Sequence, residues 1–311
     1  MPRYRRNPAQ NRIQLLTKPN WIRTRLPSGA NYQRIRGDLK ELNLNTVCEE
    51  ANCPNLSECW AGGTATFMLL GDVCSRACRF CNVKAGKLDG IVDESEADRV
   101  AEAVSRIRLK YVVLTSVDRD DLPDGGAEQF ARTIRAIHHA DQSILVEALI
   151  PDFRNRVESL REIVDAGPTV IAHNIETTRS LTPTVRDPRA GYDQSLNVLR
   201  NSKKLNSGIY TKSSIMLGLG EGDEQLLATM KDLRKADVDI LTIGQYLQPS
   251  ASHLRLVDYI HPKKFDDLKK VGDEMGFLYT ASGPLVRSSY RAGEFFVARL
   301  ARYKSNQREA N

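Results

Sequence analysis

The sequence predicts an α/β protein: a partial (β/α)6 TIM-like barrel, with an N-terminal extension before it and a C-terminal segment after it. Three observations predict it. Past residue 63, strand-like apolar runs alternate with amphipathic stretches of helical period, the pattern of a parallel sheet or barrel. Six such units follow one another, most of a barrel. The polar and sulfur-bearing residues fall just after the strands, where barrels collect their chemistry.

The first strand is expected at residues 67–70, and a helix at 94–108 sets Val100, Ala103, Val104 and Ile107 on one face. A strand at 111–115 follows, and Phe130, Ile134 and Ile137 give the next helix its apolar stripe. The strand at 144–150 is stopped by Pro151, which has no N–H for a sheet ladder. Helices at 157–166, 192–201 and 223–236, with strands at 169–174, 210–217 and 240–243, complete the alternation. One rim then carries Cys74, Cys78 and Cys81, residues 116–121, Asn174 and Glu176, residues 218–221, and Gln245 and Tyr246. The expected organisation is an extension over residues 1–62, the barrel over 63–282 and the C-terminal segment over 283–311.

With 41% hydrophobic residues in 311, the chain can bury the core of one barrel-sized catalytic domain. No apolar run approaches the roughly 18–20 residues that span a bilayer, and the N-terminus lacks an apolar signal core. No membrane span is expected, and the location expected is cytoplasmic. The formal net charge of +6 is unevenly placed, because residues 1–37 hold nine Lys or Arg and no acid. Such a start reads as a basic arm laid over the body, or as a targeting segment, which would put the protein in an organelle matrix. Pro2, Pro8 and Pro19 interrupt the amphipathic period that a targeting helix needs.

All six cysteines lie between residues 48 and 81, as Cys48-x4-Cys53-x5-Cys59 and Cys74-x3-Cys78-x2-Cys81. Disulfide frameworks belong to small secreted chains. Structural zinc asks for four ligands per ion, usually from Cys-x2-Cys pairs, and the nearest histidines here are His138 and His139. Each triplet instead offers three soft ligands in a short stretch, enough for three irons of a cubane with the fourth iron left without a cysteine. Two 4Fe-4S clusters per chain are expected.

The second triplet, placed directly after a first barrel strand and with Phe80 before its last cysteine, resembles the cluster loop of the radical S-adenosylmethionine (SAM) superfamily. The resemblance implies that the open iron is chelated by the methionine amino and carboxylate groups of SAM. An electron from the cluster would then break the sulfonium C–S bond and yield a 5'-deoxyadenosyl radical. It implies hydrogen bonds from Asn174 and Glu176 to the ribose or the methionine amino group, beside the plainer role of capping the next helix. Gly218 and Gly220, with Glu221, form a turn that a ligand can approach closely or that simply enters a helix. Lys212 and Ser214 face either the ligand carboxylate or the lumen. The dense polar stretch from Thr115 to Gly126 reads as a loop shaping the SAM or substrate site.

The first triplet narrows the family. Val47-Cys48-Glu49-Glu50-Ala51-Asn52-Cys53-Pro54-Asn55, together with Arg287-Ser288-Ser289-Tyr290, resembles the lipoyl synthase family. The likeness runs through Ile150-Pro151-Asp152-Phe153, His173-Asn174-Ile175-Glu176 and Gly244-Gln245-Tyr246-Leu247-Gln248-Pro249-Ser250. It implies an auxiliary cluster on Cys48, Cys53 and Cys59, completed by Ser289 with Ser288 as the alternative, although a serine pair near a C-terminus is more ordinarily a turn or a cap. It implies that this cluster is the sulfur donor, consumed as two sulfur atoms are inserted at C6 and C8 of an octanoyl chain on a lysine of a lipoyl carrier protein. The implied partners are octanoylated E2 lipoyl domains and the glycine-cleavage H protein, an electron donor such as ferredoxin or flavodoxin, and an iron-sulfur carrier that rebuilds the cluster. No nucleic acid is expected. Beside this stand another two-cluster radical SAM sulfur inserter, for example one acting on tRNA, and an iron-sulfur electron carrier. The former would bring an RNA-binding region, and the latter has no use for a barrel.

Overall fold

The computed structural model describes residues 17–23, 30–50, 53, 55–61, 64–290 and 293. Most of the basic arm and the chain beyond residue 293 lie outside the described residues. The N-terminal extension contributes α1 (Ala30–Glu41), β1 (Asn45–Thr46), α2 (Val47–Glu50) and α3 (Leu56–Ala61). The alternation begins with β2 (Thr64–Leu69), then a loop holding β3 (Val73–Cys74) and β4 (Lys84–Ala85), then α4 (Glu96–Ile107) and β5 (Tyr111–Ser116). It continues as α5 (Ala127–Ala140), β6 (Leu145–Leu149), α6 (Val157–Asp165), β7 (Val170–Ala172), α7 (Thr182–Val185) and α8 (Tyr192–Leu205). The last elements are β8 (Tyr210–Leu217), α9 (Asp223–Lys235), β9 (Ile240–Gln245), α10 (Pro262–Glu274) and β10 (Tyr279–Gly283).

Eight strands form one sheet in the order β1-β2-β5-β6-β7-β8-β9-β10. β1 runs antiparallel to β2, and every other pairing is parallel. Among the described residues β1 and β10 are the edges of this sheet, with no ladder joining them. Strands buried on both faces read as continuous apolar runs. The inner face packs Tyr111, Val113, Val170 and Ile240, while Phe67, Val112, Leu114, Phe130 and Ile134 belong to the layer between sheet and helices.

The six expected strands and the helices between them are present, and two strands of the main sheet, β1 and β10, were not foreseen. β10 is paired residue by residue with β9, from Tyr279 against Ile240 to Gly283 against Gly244. Its sequence Tyr-Thr-Ala-Ser-Gly has no apolar run, so its strand state comes from the neighbour rather than from its own pattern. β1, only two residues long, is likewise defined by its partners Phe67 and Met68. β7 is shorter than expected, because the chain leaves the ladder at His173 and rejoins through a single bridge between Glu176 and Ile215. That departure turns Asn174 and Glu176 toward the rim.

Deep in the barrel, Lys212 Nζ lies 2.8 Å from both carboxylate oxygens of Glu147, and the Tyr111 hydroxyl donates to the same carboxylate at 2.6 Å. All three side chains are buried. Of the two positions open to Lys212, the structure takes the lumen.

Candidate functional site

The C-terminal rim opens into a cavity of about 560 Å3. Cys74, Cys78 and Cys81 line it together with Cys48 and Cys53, and Ser288 and Ser289 of the C-terminal segment also reach it. A shallower groove of about 690 Å3 runs along α1 past Tyr32, Arg36 and Lys40, and no thiol is among its lining residues. The chemistry therefore lies in the cysteine-lined cavity.

The second triplet is held by backbone. The Asp118 N–H donates to Cys74 Sγ at 3.3 Å, the Arg76 N–H to the same sulfur at 3.4 Å, and the Asp187 N–H to Cys78 Sγ at 3.3 Å. A strap following β9 covers the loop, with the Leu254 N–H on the Arg79 carbonyl at 2.8 Å and the His253 ring on the Cys81 carbonyl at 3.1 Å. Burial first, with the Asp118 charge and Cys81 adding to it, pushes the Cys74 thiol up to about 12 and the Cys78 thiol up to about 11. Burial also lifts the Asp118 carboxyl to about 6 despite the nearby Arg76.

The first triplet sits on α2, the turn after it, and α3. Burial, then the neighbouring Cys53 and Cys59, push Cys48 up to about 12. Burial raises Cys53 as well, against the opposing charge of Arg287. Arg287 reaches Cys53 because the C-terminal segment is tied to this region. Asn55 donates to the Leu285 carbonyl at 2.6 Å, and Tyr290 donates to the Glu58 carboxylate at 3.1 Å. The two triplets are themselves joined, since the amide of Asn82, next to Cys81, donates to the Glu50 carbonyl at 2.7 Å.

No three His, Cys, Asp or Glu side chains among the described residues form a group that could hold a single metal ion. A cubane poses a different requirement, one thiolate to each of three separate irons. Here the donor set fits it: Cys53 and Cys59 are near enough to raise the Cys48 thiol, Cys81 is near enough to raise those of Cys74 and Cys78, five of the six border one cavity, and all six are thiols rather than disulfides.

Phe80, Asn174, Glu176 and Ser214 also line the cavity. Enclosure pushes the Glu176 carboxyl up, with Arg186 and the Asn174 amide opposing. The structure does not bring Lys212, Gly218, Gly220 or Glu221 to the cavity lining. Glu221 turns back to accept from the Gly218 and Leu219 N–H groups at 2.7 and 2.9 Å. Gly218 has φ +97°, and a β-carbon there would stand 2.3 Å from Gln245 Nε2, so its own chain already requires glycine. Cys59 lies on α3 and is not among the lining residues, but its thiol acts on Cys48. Sequence reasoning missed Arg186, whose buried Nε has no hydrogen-bond partner, and His173, which bridges the Ile150 carbonyl and Ser195 Oγ at 2.8 and 2.9 Å. No motif marks Arg186. His173 stands beside Asn174 in a string that could have pointed to it.

A mostly parallel sheet flanked by helices, a cysteine loop after its first parallel strand and a cavity at its rim together define a radical SAM protein. The sequence matches the Radical SAM superfamily over residues 68–233 and the N-terminal domain of lipoyl synthase over residues 2–53. It is 54% identical over 302 residues to a protein of Danio rerio named "Lipoyl synthase, mitochondrial", covering 96% of this chain and 76% of that one. The Homo sapiens protein of the same name is 53% identical, with 96% and 81% covered. This chain belongs to the lipoyl synthase family of radical SAM enzymes. Among solved structures, methylornithine synthase (PylB) shares the fold at TM-score 0.52 and 13% identity, with 66% of this chain and 61% of that one covered. The FeFe-hydrogenase maturase HydG from Carboxydothermus hydrogenoformans does so at TM-score 0.55 and 15% identity, with 70% and 52% covered.

Proposed function

We propose that this chain inserts two sulfur atoms, at C6 and C8, into an octanoyl chain carried on a lysine of a lipoyl carrier protein. In this reading Cys74, Cys78 and Cys81 hold the SAM-binding 4Fe-4S cluster. Cys48, Cys53 and Cys59, completed by Ser289, hold the auxiliary one. The observation that carries it is the meeting at one cavity of Cys74, Cys78 and Cys81 with Cys48 and Cys53 of the other triplet. When bound, the two clusters supply the electron that cleaves SAM and the sulfur that is inserted.

The chain's own residues do the rest. Asn174, Glu176 and Ser214 orient SAM by hydrogen bonds, and Phe80 packs against it. The apolar walls at Val117, Leu149, Ile150 and Met216 receive the aliphatic chain, whose C–H bonds offer nothing to acid-base catalysis. The strap after β9 and the segment from Leu285 to Tyr290 keep water from a reactive carbon. The extension over 1–62 and the segment over 283–311 thus act as parts of one catalytic unit with the barrel.

Octanoylated E2 lipoyl domains and the glycine-cleavage H protein are the proposed carriers. The electron donor is proposed to be of the ferredoxin or flavodoxin type, and an iron-sulfur carrier rebuilds the auxiliary cluster. Relatives bear the word mitochondrial in their names, and no helix among the described residues is long and apolar enough to cross a membrane. An organelle matrix suits the acid-free start.

The test is anaerobic reconstitution followed by SAM, a reductant and an octanoylated carrier peptide. About eight irons per chain and a product heavier by two sulfurs are expected. About four irons, or deoxyadenosine without a sulfur-bearing product, would sink the assignment. Replacing Cys48, Cys53 and Cys59 by Ala should leave SAM cleavage intact and abolish insertion, whereas replacing Cys74, Cys78 and Cys81 should abolish cleavage.

A further inference from the structure

Within the second triplet lies a side chain that borders the same cavity without offering a ligand to iron. Arg76, between Cys74 and Cys78, is an arginine with only 2% of its side chain exposed. Its guanidinium makes two forks: Nε and one terminal nitrogen to Asp120 at 2.8 and 2.9 Å, and both terminal nitrogens to Asp152 at 2.7 and 2.8 Å. Burial opposes both carboxylate charges, but Arg76 outweighs it and holds them below the ordinary range, Asp120 at about 2. Asp120 belongs to the loop after β5 and Asp152 to the loop after β6. One side chain therefore ties the cysteine loop to two strand ends.

The tie is repeated around the loop. The Asp120 N–H donates to Ser75 Oγ at 3.0 Å, and Arg189 joins Asp187, Asp120 and the Ser75 carbonyl. Asp187 in turn accepts from the Ala77 N–H at 2.9 Å. The N–H groups that reach the sulfurs of Cys74 and Cys78 belong to Arg76, Asp118 and Asp187, all members of this network or adjacent to it.

A second observation is independent of the ion pairs. Phe153, Arg154 and Asn155, directly after Asp152, all have left-handed φ of 46°, 50° and 62°. Three consecutive residues with β-carbons in this region are unfavourable and persist only where surroundings impose them, a pattern that gathers at functional sites. Here the turn aims the Asp152 carboxylate at Arg76. It also brings Arg154 onto Asp120 at 3.0 Å, and Gly125 leaves room for the Phe153 ring.

Hydrogen bonds to cluster sulfurs are among the levers that set an iron-sulfur potential, because they stabilise the more negatively charged reduced state. We propose that Arg76 is a positioning residue for the SAM-binding cluster. Its double fork fixes the loop so that the N–H groups of Arg76, Asp118 and Asp187 meet the sulfurs of Cys74 and Cys78, and so sets the potential at which the cluster accepts an electron. The inference rests on the ligand assignment above. Iron counts in the Cys74, Cys78, Cys81 triple variant test that assignment separately.

The experiment is a redox titration of the reconstituted two-cluster protein followed by electron paramagnetic resonance, reading the signal that changes on SAM addition. Arg76→Lys keeps the charge but cannot form two planar forks. It is expected to bind its full complement of iron yet show about a tenfold fall in the reduced-to-oxidised ratio at fixed solution potential, ~59 mV for one electron. Asn155→Gly relaxes the same turn without touching the fork, and should titrate like the unaltered protein. Full iron with an unchanged potential in Arg76→Lys overturns the proposal. If Arg76→Lys takes up no iron, Asp152→Asn replaces it, and an unchanged potential there is equally fatal. If neither takes up iron, amide hydrogen exchange over residues 74–79 of the metal-free full chain decides. Faster exchange than in the unaltered protein supports the proposal, and equal exchange overturns it.

Discussion

Gly244 and Val286 touch backbone to backbone: a β-carbon on Gly244 would stand 2.0 Å from the Val286 carbonyl oxygen. Gly244 lies on β9, and Val286 immediately precedes Arg287, Ser288 and Ser289. The absence of a side chain at one strand position therefore decides where the C-terminal segment runs. Gly244→Ala is expected to displace that segment, at about 1–3 kcal/mol of overpacking. SAM cleavage should persist while sulfur insertion falls at least tenfold. Parallel assays of deoxyadenosine and sulfur-bearing product check it; equal loss of both would contradict it.

The buried pair of Lys212 and Glu147 makes a different prediction. Lys212→Met leaves the buried Glu147 carboxylate without the lysine charge, keeping the Tyr111 hydrogen bond, and should cost about 3–5 kcal/mol in urea unfolding. Adding Glu147→Gln to Lys212→Met should recover part of that loss, because the unpaired charge is gone. If the double variant is no more stable than the single one, charge burial is not the cause.

His173 gives the protein a stability that depends on pH. Burial, then the nearby Arg186 charge, hold it down to about 4 against an ordinary 6.5. The unfolded chain therefore binds more protons than the folded one between those values. Stability is present above about 6.5 and lost as pH falls toward 4, by about 3 kcal/mol. His173→Asn should flatten this part of the unfolding free energy against pH, and an unchanged slope would exclude His173 as its source.

The thiols act at the other end of the scale. In metal-free protein Cys48 and Cys74 are pushed up to about 12 and Cys78 to about 11, all by burial first. Near pH 8 they stay protonated, so alkylation of folded, metal-free chain should run on the order of 100–1000 times slower than after unfolding. Cluster assembly must release these protons, and iron uptake should therefore quicken as pH rises. Mass spectrometry of alkylated protein and a pH series of reconstitution measure the two effects. Equal alkylation rates before and after unfolding would contradict the burial.

Much of this fold was legible because its parallel strands are buried on both faces. Tyr210–Leu217 and the start of Tyr111–Ser116 stand where their apolar runs put them. β10 was illegible because burial by β9 and α10, not its own residues, makes it a strand. The grouping of the cysteines was visible in their spacing, and the structure brings five of the six thiols to one cavity. Gly218 and Gly220 were ambiguous for a physical reason: a glycine that admits a ligand and one that admits its own chain look alike in sequence. Arg76 and Arg186 were invisible, because a buried arginine declares itself only through carboxylates and cavities that distant loops supply.

The hydrogen bond from Asn55 to Leu285 joins positions 230 residues apart. On a ribosome, then, the pocket around Cys48, Cys53 and Cys59 cannot be finished until nearly the whole chain has been translated. The loop of Cys74, Cys78 and Cys81 needs only the partners through Leu254. Synthesis itself imposes an order on the two triplets, with the loop proposed to generate the radical in possession of these partners while the pocket proposed to donate sulfur still waits for its last wall.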